Sequence, residues 1–215
     1  MTAIHIVLGA PKVEEIKPLI QIEGVVIGVD RGALHALEEG IAVDVALGDF
    51  DSISDEEKMK LNKVVNKTIS HPSVKDDTDT EIAFNYALKN YDAENIYVYN
   101  WYGGRVDHLH SLLMIVLQKR FEALVPKLKF VAADNHIEYF LPGEHTLRKM
   151  TEMDYLSYIL LTEVKGLTLK DVKYEVEDTN FEHPLALISN EFKNNEAILT
   201  FEEGIIAAIQ SRDSK

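Results

Sequence analysis

The 215-residue sequence contains no cysteine. That excludes a disulfide scaffold, a thiolate zinc site, a cysteine nucleophile and an iron–sulfur cluster, and it fits a reducing cytoplasm. Basic charge is scarce: 22 Lys and Arg stand against 36 Asp and Glu, a formal net charge of −14. General nucleic-acid binding needs a basic surface and is not expected. Long apolar runs are missing as well. The longest, Leu112–Leu117, is far short of the about 20 residues that span a bilayer. The start, Met1-Thr-Ala-Ile-His-Ile-Val-Leu8, has no basic region ahead of its apolar run. No membrane segment is expected, and a cytoplasmic location is. The 46% hydrophobic and 27% charged residues are an ordinary globular composition. At about 150 residues per domain, the length allows one large domain or two modest ones. The acidic balance favours cationic ligands, or anionic ligands that arrive with a divalent metal.

The chain changes character near its middle. In residues 1–125, short β-branched runs (Ile4–Leu8, Val25–Val29, Val43–Leu47, Val64–Ile69, Ile96–Tyr99) alternate with helical patterns (Val13–Ile20, Gly32–Glu39, Ser54–Asn62, Thr78–Lys89, Asp107–Arg120). Ser54 with Glu57 and Thr78 with Glu81 have capping-box spacing. Leu109, Leu112, Leu113, Val116 and Leu117 fall on one helical face and predict a single helix over Asp107–Arg120. Such alternation predicts a mostly parallel sheet covered by helices. In residues 126–215 the helical period fades. Short strands are predicted at Phe130–Ala133, Ile137–Leu141, Thr146–Arg148, Tyr155–Leu161, Leu167–Leu169, Val172–Val176, Leu185–Ile188, Ala197–Phe201 and Ile205–Ile209, which suggests an antiparallel sandwich or barrel.

Four loops carry the residues with chemistry. Asp30-Arg31-Gly32, Gly48-Asp49-Phe50-Asp51-Ser52 and Trp101-Tyr102-Gly103-Gly104-Arg105 each follow a predicted parallel strand, and Lys75-Asp76-Asp77-Thr78-Asp79 precedes a helix. Ligands of open α/β sheets bind beyond the carboxyl ends of the strands, so these loops are expected around one cleft. If the chain is extended, Asp49 and Asp51 at i, i+2 put two carboxylates on one face, able to share a cation; the same residues also suit an Asx turn. Asp76, Asp77 and Asp79 either complement a helix N-terminus or meet a metal or cationic ligand. Gly103-Gly104-Arg105 before a helix is a plausible phosphate cradle. Asp107 suits the N-cap of that helix, His108 a ligand contact, and Trp101 the core.

In this order the motifs resemble the thiamin pyrophosphokinase family. The matching stretches are Val29-Asp-Arg-Gly-Ala33, Gly48-Asp-Phe-Asp-Ser52, Lys75-Asp-Asp-Thr-Asp-Thr-Glu81 and Gly103-Gly-Arg-Val-Asp-His108, followed by Phe140-Leu-Pro-Gly143, Val164-Lys-Gly-Leu-Thr-Leu169 and Ser189-Asn-Glu191. Arg31 stands where many members have Gly.

The resemblance implies an α/β plus all-β chain: an N-terminal Rossmann-like parallel α/β/α domain in residues 1–125 that binds ATP and metal, then a C-terminal antiparallel β-sandwich in residues 126–215 that binds thiamin and dimerises. It implies Mg²⁺-dependent pyrophosphate transfer from ATP to the hydroxyethyl group of thiamin, giving thiamin diphosphate and AMP, in a homodimer whose active sites lie at the subunit interface. Asp49, Asp51 and Asp79 match catalytic and metal positions. Asp30, Gly32, Gly103, Gly104, Arg105, Asp107 and His108 match the ATP side, and Lys75, Asp76, Asp77, Ser189 and Asn190 the thiamin side. Three other readings remain: a pyrophosphokinase of another alcohol such as a hydroxymethylpterin, an aspartate-nucleophile phosphatase, and a non-catalytic thiamin- or nucleotide-sensing module.

Overall fold

The computed structural model describes residues 2–11, 14–51, 53–70 and 76–213. The chain divides into two compact units, Met1–Ala132 and Ala133–Lys215. Among its described residues the first carries six strands, β1 (Thr2–Val7), β2 (Gly24–Val29), β3 (Val45–Gly48), β4 (Lys67–Ser70), β5 (Ala93–Tyr99) and β6 (Leu128–Val131). They pair in parallel in the order β6-β5-β1-β2-β3-β4. The buried stretches of β1, β2 and β3 are continuous and not alternating, as in a parallel sheet covered on both faces. Among the described residues, four helices accompany them: α1 (Arg31–Glu38), α2 (Asp55–Val64), α3 (Asp79–Asn90) and α4 (Val106–Leu113). α1 packs on β1 and β2, and α3 on β2 and β3. Both expected capping boxes are present: Ser54 Oγ accepts from Glu57 N–H and Thr78 Oγ1 from Glu81 N–H, with each Glu side chain bonding back to its N-cap N–H.

Three helical expectations are corrected. The helix expected over Asp107–Arg120 ends at Leu113, and two 3₁₀ turns, Ile115–Leu117 and Lys119–Leu124, replace the rest. The apolar positions are compatible with either form; tertiary bonds made by Gln118 and Arg120, described below, select the break. Asp107 is not the N-cap of α4. Arg105 occupies that position, and Asp107 accepts from the His108 N–H at 3.0 Å. In the expected helix Val13–Ile20 the described helical residues are one 3₁₀ turn, Lys17–Leu19, with Pro18 near its start. Glu39 Oε2 takes the Ile16 and Lys17 N–H groups at 2.8 and 2.7 Å, which satisfies donors at the start of that turn; Val13 lies outside the described residues.

The second unit holds β7 (Asn135–Phe140), β8 (Gly143–Arg148), β9 (Tyr155–Leu160), β10 (Val164–Lys170), β11 (Val176–Phe181), β12 (Leu185–Asn190), β13 (Glu196–Phe201) and β14 (Ile206–Ser211). They form two antiparallel layers, β12-β9-β14-β7 and β11-β10-β13-β8. Leu147, Leu167 and Leu199 of one layer and Leu156, Leu160 and Ile206 of the other share one core. Each such side chain contributes about 1.5–3 kcal/mol on burial. The strand expected at Val172–Val176 begins only at Val176. Asp171 is left-handed (φ 60°), and the Tyr174 backbone bonds to the Asn190 side chain instead of a ladder.

No helix among the described residues is long and apolar enough to cross a membrane.

The N-terminus of α1 lies tight on the end of β1. A Cβ added at Gly32 would sit 2.1 Å from the Val7 carbonyl oxygen and 2.6 Å from the Leu8 carbonyl carbon. Overpacking of this kind costs about 1–3 kcal/mol. Gly32→Ala is therefore expected to lower the melting temperature by several degrees in a thermal melt; an unchanged melting temperature would count against this packing.

Candidate active site

Connections from β1 lead through β2 and β3 to β4 on one side of the first unit's sheet, whereas β5 and β6 lie on the other. β1 and β5 are neighbours, so the crevice beyond their carboxyl ends is a topological switch point, the usual ligand position in such sheets. A cleft of about 810 Å³ lies there, lined by Leu8–Pro11 after β1 and by Trp101, Gly104 and Arg105 after β5. Asp30 and Arg31 after β2, Asp51 after β3, and Asp76–Glu81 at the start of α3 also line it. Asp107, His108 and Ser111 of α4 complete the polar lining.

Three residues beyond the strand ends are left-handed without being glycine: Asp30 (φ 48°), Phe50 (φ 56°) and Asn100 (φ 52°). Such residues cost about 1–3 kcal/mol each and persist where surrounding contacts hold them. Phe50 is held by burial against Ala33, Leu34 and Leu61. It thereby separates Asp49 from Asp51 with a turn, so the pair is not extended; Asp49 Oδ1 accepts the Asp51 N–H at 3.1 Å. Asp30 Oδ1 accepts the Phe50 N–H at 3.4 Å. At Gly48 (φ 155°) a Cβ would lie 1.8 Å from that same Asp30 oxygen. Glycine there lets the β2 and β3 loops touch.

Among the described residues the cleft lining carries seven carboxylates and two arginines. Arg105 binds Asp107 through Nε (3.1 Å) and Nη2 (2.5 Å). That hydrogen bond, with the adjacent positive charge, pulls the Asp107 carboxyl down to about 2 and raises Arg105, so both stay charged near neutrality. The Arg105 side chain is nevertheless 71% exposed and open to an anion. Burial alone would raise Glu81; hydrogen bonds from Gln118 and Thr78 and the charge of Arg120 outweigh it and leave the carboxyl below its ordinary value.

Of the residues proposed from sequence, Asp30, Asp51, Asp76, Asp77, Asp79, Gly104, Arg105, Asp107 and His108 come together at this cleft. Gly32 and Gly103 adjoin lining residues in the chain and Asp49 stands two residues before Asp51, but none of the three is itself in the lining. Lys75 lies outside the described residues. Ser189 and Asn190 belong to the second unit, where the Asn190 amide donates to Tyr174 O and accepts from the Tyr174 and Glu191 N–H groups. Among the described residues no three His, Asp or Glu side chains converge as a ready metal cage. Hard carboxylate oxygens at a shared cleft still fit Mg²⁺, which takes one or two carboxylates and completes its shell from waters and substrate phosphates.

A catalytic-domain model of thiamin pyrophosphokinase matches residues 16–125, and a model of that family's vitamin B1 binding domain matches residues 144–206. The chain belongs to the thiamin pyrophosphokinase family. It is 31% identical over 217 residues to a thiamine pyrophosphokinase of Bacillus subtilis strain 168, covering 99% of this chain and 100% of the relative. A crystal structure of a thiamin pyrophosphokinase family protein from Enterococcus faecalis matches with a TM-score of 0.90 at 32% identity, covering 100% of both chains. One of a Geobacillus thermodenitrificans thiamin pyrophosphokinase matches with 0.84 at 30% identity, over 99% of each chain. The chain is an enzyme of this type, with an α/β part followed by a β part.

Sequence reasoning missed the Leu8–Pro11 loop and Asn100. The loop follows a strand end, the signal used for the other three. Asn100 is 1% exposed and its Nδ2 donates to Leu8 O (2.8 Å) and Ala10 O (2.7 Å), tying the β5 loop to the β1 loop across the switch point. Trp101, expected in the core, is 8% exposed, donates to Val131 O, and still lines the cleft. Both Asn100→Gly and Asn100→Ala lose the two bonds, but only Ala meets left-handed strain. Ala is expected to be the less stable variant by about 1–2 kcal/mol in urea unfolding; equal stability would contradict the role of that backbone angle. For Glu81, a depressed carboxyl contributes stability above its ordinary value of 4.5 and loses it as pH falls through the lowered value. The stability gap between wild type and Glu81→Gln is therefore expected to be full at neutral pH and to close in acid, as melts from pH 7 down to pH 3 would show.

Proposed function

We propose that this thiamin pyrophosphokinase family member transfers the pyrophosphoryl group of Mg²⁺-bound ATP to the hydroxyethyl oxygen of thiamin, giving thiamin diphosphate and AMP. The observation that carries this reading is one switch-point cleft whose lining holds both clustered carboxylates and the exposed Arg105 at the N-terminus of α4. The carboxylates suit a metal and the thiazolium cation; Arg105 suits phosphate oxygens. The first unit is read as a Rossmann-like nucleotide-binding domain and the second as a β-sandwich.

Asp51 and Asp79, with Asp49 beside them, are the residues that would hold Mg²⁺. When bound, the ion supplies charge neutralisation at the phosphate oxygens. Asp30, Arg105, Asp107 and His108 hold the ATP side, with Gly32, Gly103 and Gly104 allowing close backbone approach. Lys75, Asp76, Asp77, Ser189 and Asn190 belong to the thiamin side. The new bond joins the thiamin oxygen to the β-phosphorus, the bond between that phosphorus and the AMP oxygen breaks, and Asp51 or Asp79 accepts the hydroxyl proton. A homodimer completes the site. Exposed Leu185 and Ile188 on the end strand β12, with exposed Tyr174 nearby in the chain, support an interface on the second unit.

Incubation with thiamin and Mg-ATP is expected to yield AMP and thiamin diphosphate, and Asp51→Asn to cut turnover by about a hundredfold while folding normally. ADP or free phosphate as the product, or wild-type turnover in the variant, would overturn the assignment.

A further inference from the structure

The chain breaks its helical course at Gln118, which is extended (φ −79°, ψ 119°) between the two 3₁₀ turns. In a continuous helix Gln118 and Arg120, two residues apart, would face different ways. The break sends both to one carboxylate: Gln118 Nε2 and Arg120 Nη2 each donate to Glu81 Oε1 at 2.8 Å. Arg120 Nη1 donates to Asp77 Oδ1 at 2.6 Å, and its Nε to Gln118 Oε1 at 2.8 Å. The guanidinium also lies 4.7 Å from the ring centroid of the fully buried Phe121. All three of its nitrogens are thus engaged on a rigid base.

The far side of Glu81 completes the linkage. Its Oε2 accepts the Thr78 N–H (2.8 Å) and hydroxyl (3.0 Å) in the capping box. Thr78 is flanked by Asp77 and Asp79, so one carboxylate connects Arg120 to the turn that aims the acidic loop. Among the described residues, no hydrogen-bonded Gln–Arg pair of this kind is seen on the same box at Ser54–Glu57. Arg31 approaches Glu57 at 3.7 Å, and neither Ser54 nor Glu57 lines the cleft. Capping a helix therefore does not require the Gln118–Arg120 arrangement, which is made at the box whose flanking carboxylates line the cleft.

We propose that Arg120 is a positioning residue for catalysis: with Gln118 it clamps Asp77 and Glu81 and so aims Asp79 and Asp76 into the cleft, and Asp77 anchors the loop instead of touching substrate. The proposal rests on the functional reading of the cleft above, and departs from it only at Asp77.

The test compares wild type with Arg120→Ala, Arg120→Lys, Asp77→Asn and the double variant Arg120→Ala/Asp77→Asn, measuring kcat and the Mg²⁺ concentration for half-maximal rate. Arg120→Ala is expected to lose about tenfold or more in kcat and to need several-fold more Mg²⁺. Arg120→Lys, which keeps the charge and loses the fork, should recover part of both. Asp77→Asn should resemble Arg120→Ala, and the double variant should be no worse than the single one. The single variant Asp77→Asn also serves where Arg120→Ala does not fold. Variants with wild-type kcat and Mg²⁺ requirement, or altered only in melting temperature, would overturn the clamp. Multiplicative losses in the double variant would overturn the anchoring role of Asp77. An inactive wild type would overturn the functional reading itself, a result distinct from an active wild type with indifferent variants.

Discussion

The site depends on a constraint of strand order. β1 and β5 lie side by side with parallel register, yet the chain leaves them toward opposite edges of the sheet. Neither onward connection covers the gap above them, so an open crevice remains at their carboxyl ends. Asn100 joins the two lips with a single amide. Its left-handed backbone is the local cost of turning the chain there and still pointing that amide back at the β1 loop. The positive-φ residues at Asp30 and Phe50 and the close approach of Gly48 to Asp30 repeat the pattern on β2 and β3. Buried strands with continuous apolar runs form a rigid base, and the strained residues sit at its rim.

Charge follows the same geometry. Part of the −14 net charge is concentrated at this rim, where like charges crowd. Two arginines manage that crowding differently. Arg105 is exposed and bonded to its near neighbour Asp107, so it remains accessible to an anion. Arg120 is tied to Asp77 and Glu81, far away in sequence, and takes part in the architecture of the acidic loop. A substrate pair made of a polyanion and a fixed cation calls for both signs of charge within one cleft; in the proposed mechanism Arg105 serves binding and Arg120 placement.

Alternating short apolar runs and helical patterns announced the α/β first half, because a parallel sheet and its helices leave periodic apolar signatures. The capping boxes at Ser54 and Thr78 were legible because they are local. The loops after β2, β3 and β5 were legible because topology puts strand ends on one edge. The residues beyond local reach were Asn100 and Arg120, whose partners lie about 90 and 40 positions away. The apolar spacing from Leu109 to Leu117 suited a helix as well as two 3₁₀ turns; only the pull of Glu81 and Asp77 on Gln118 and Arg120 distinguishes them. Asp49-Phe50-Asp51 illustrates the same limit: the spacing left a shared cation and a turn both open, and burial of Phe50 decided in favour of the turn.

The sequence by itself determined the class of chain, the succession of its elements and the family, since these rest on composition, periodicity and ordered motifs along one dimension. Only the tertiary structure decided which of those motifs share a cleft, which carboxylates are held by arginine, and which glycine or asparagine makes the close approaches possible. Those features are set by contacts between residues far apart in the chain, and such contacts leave no period or local spacing to read.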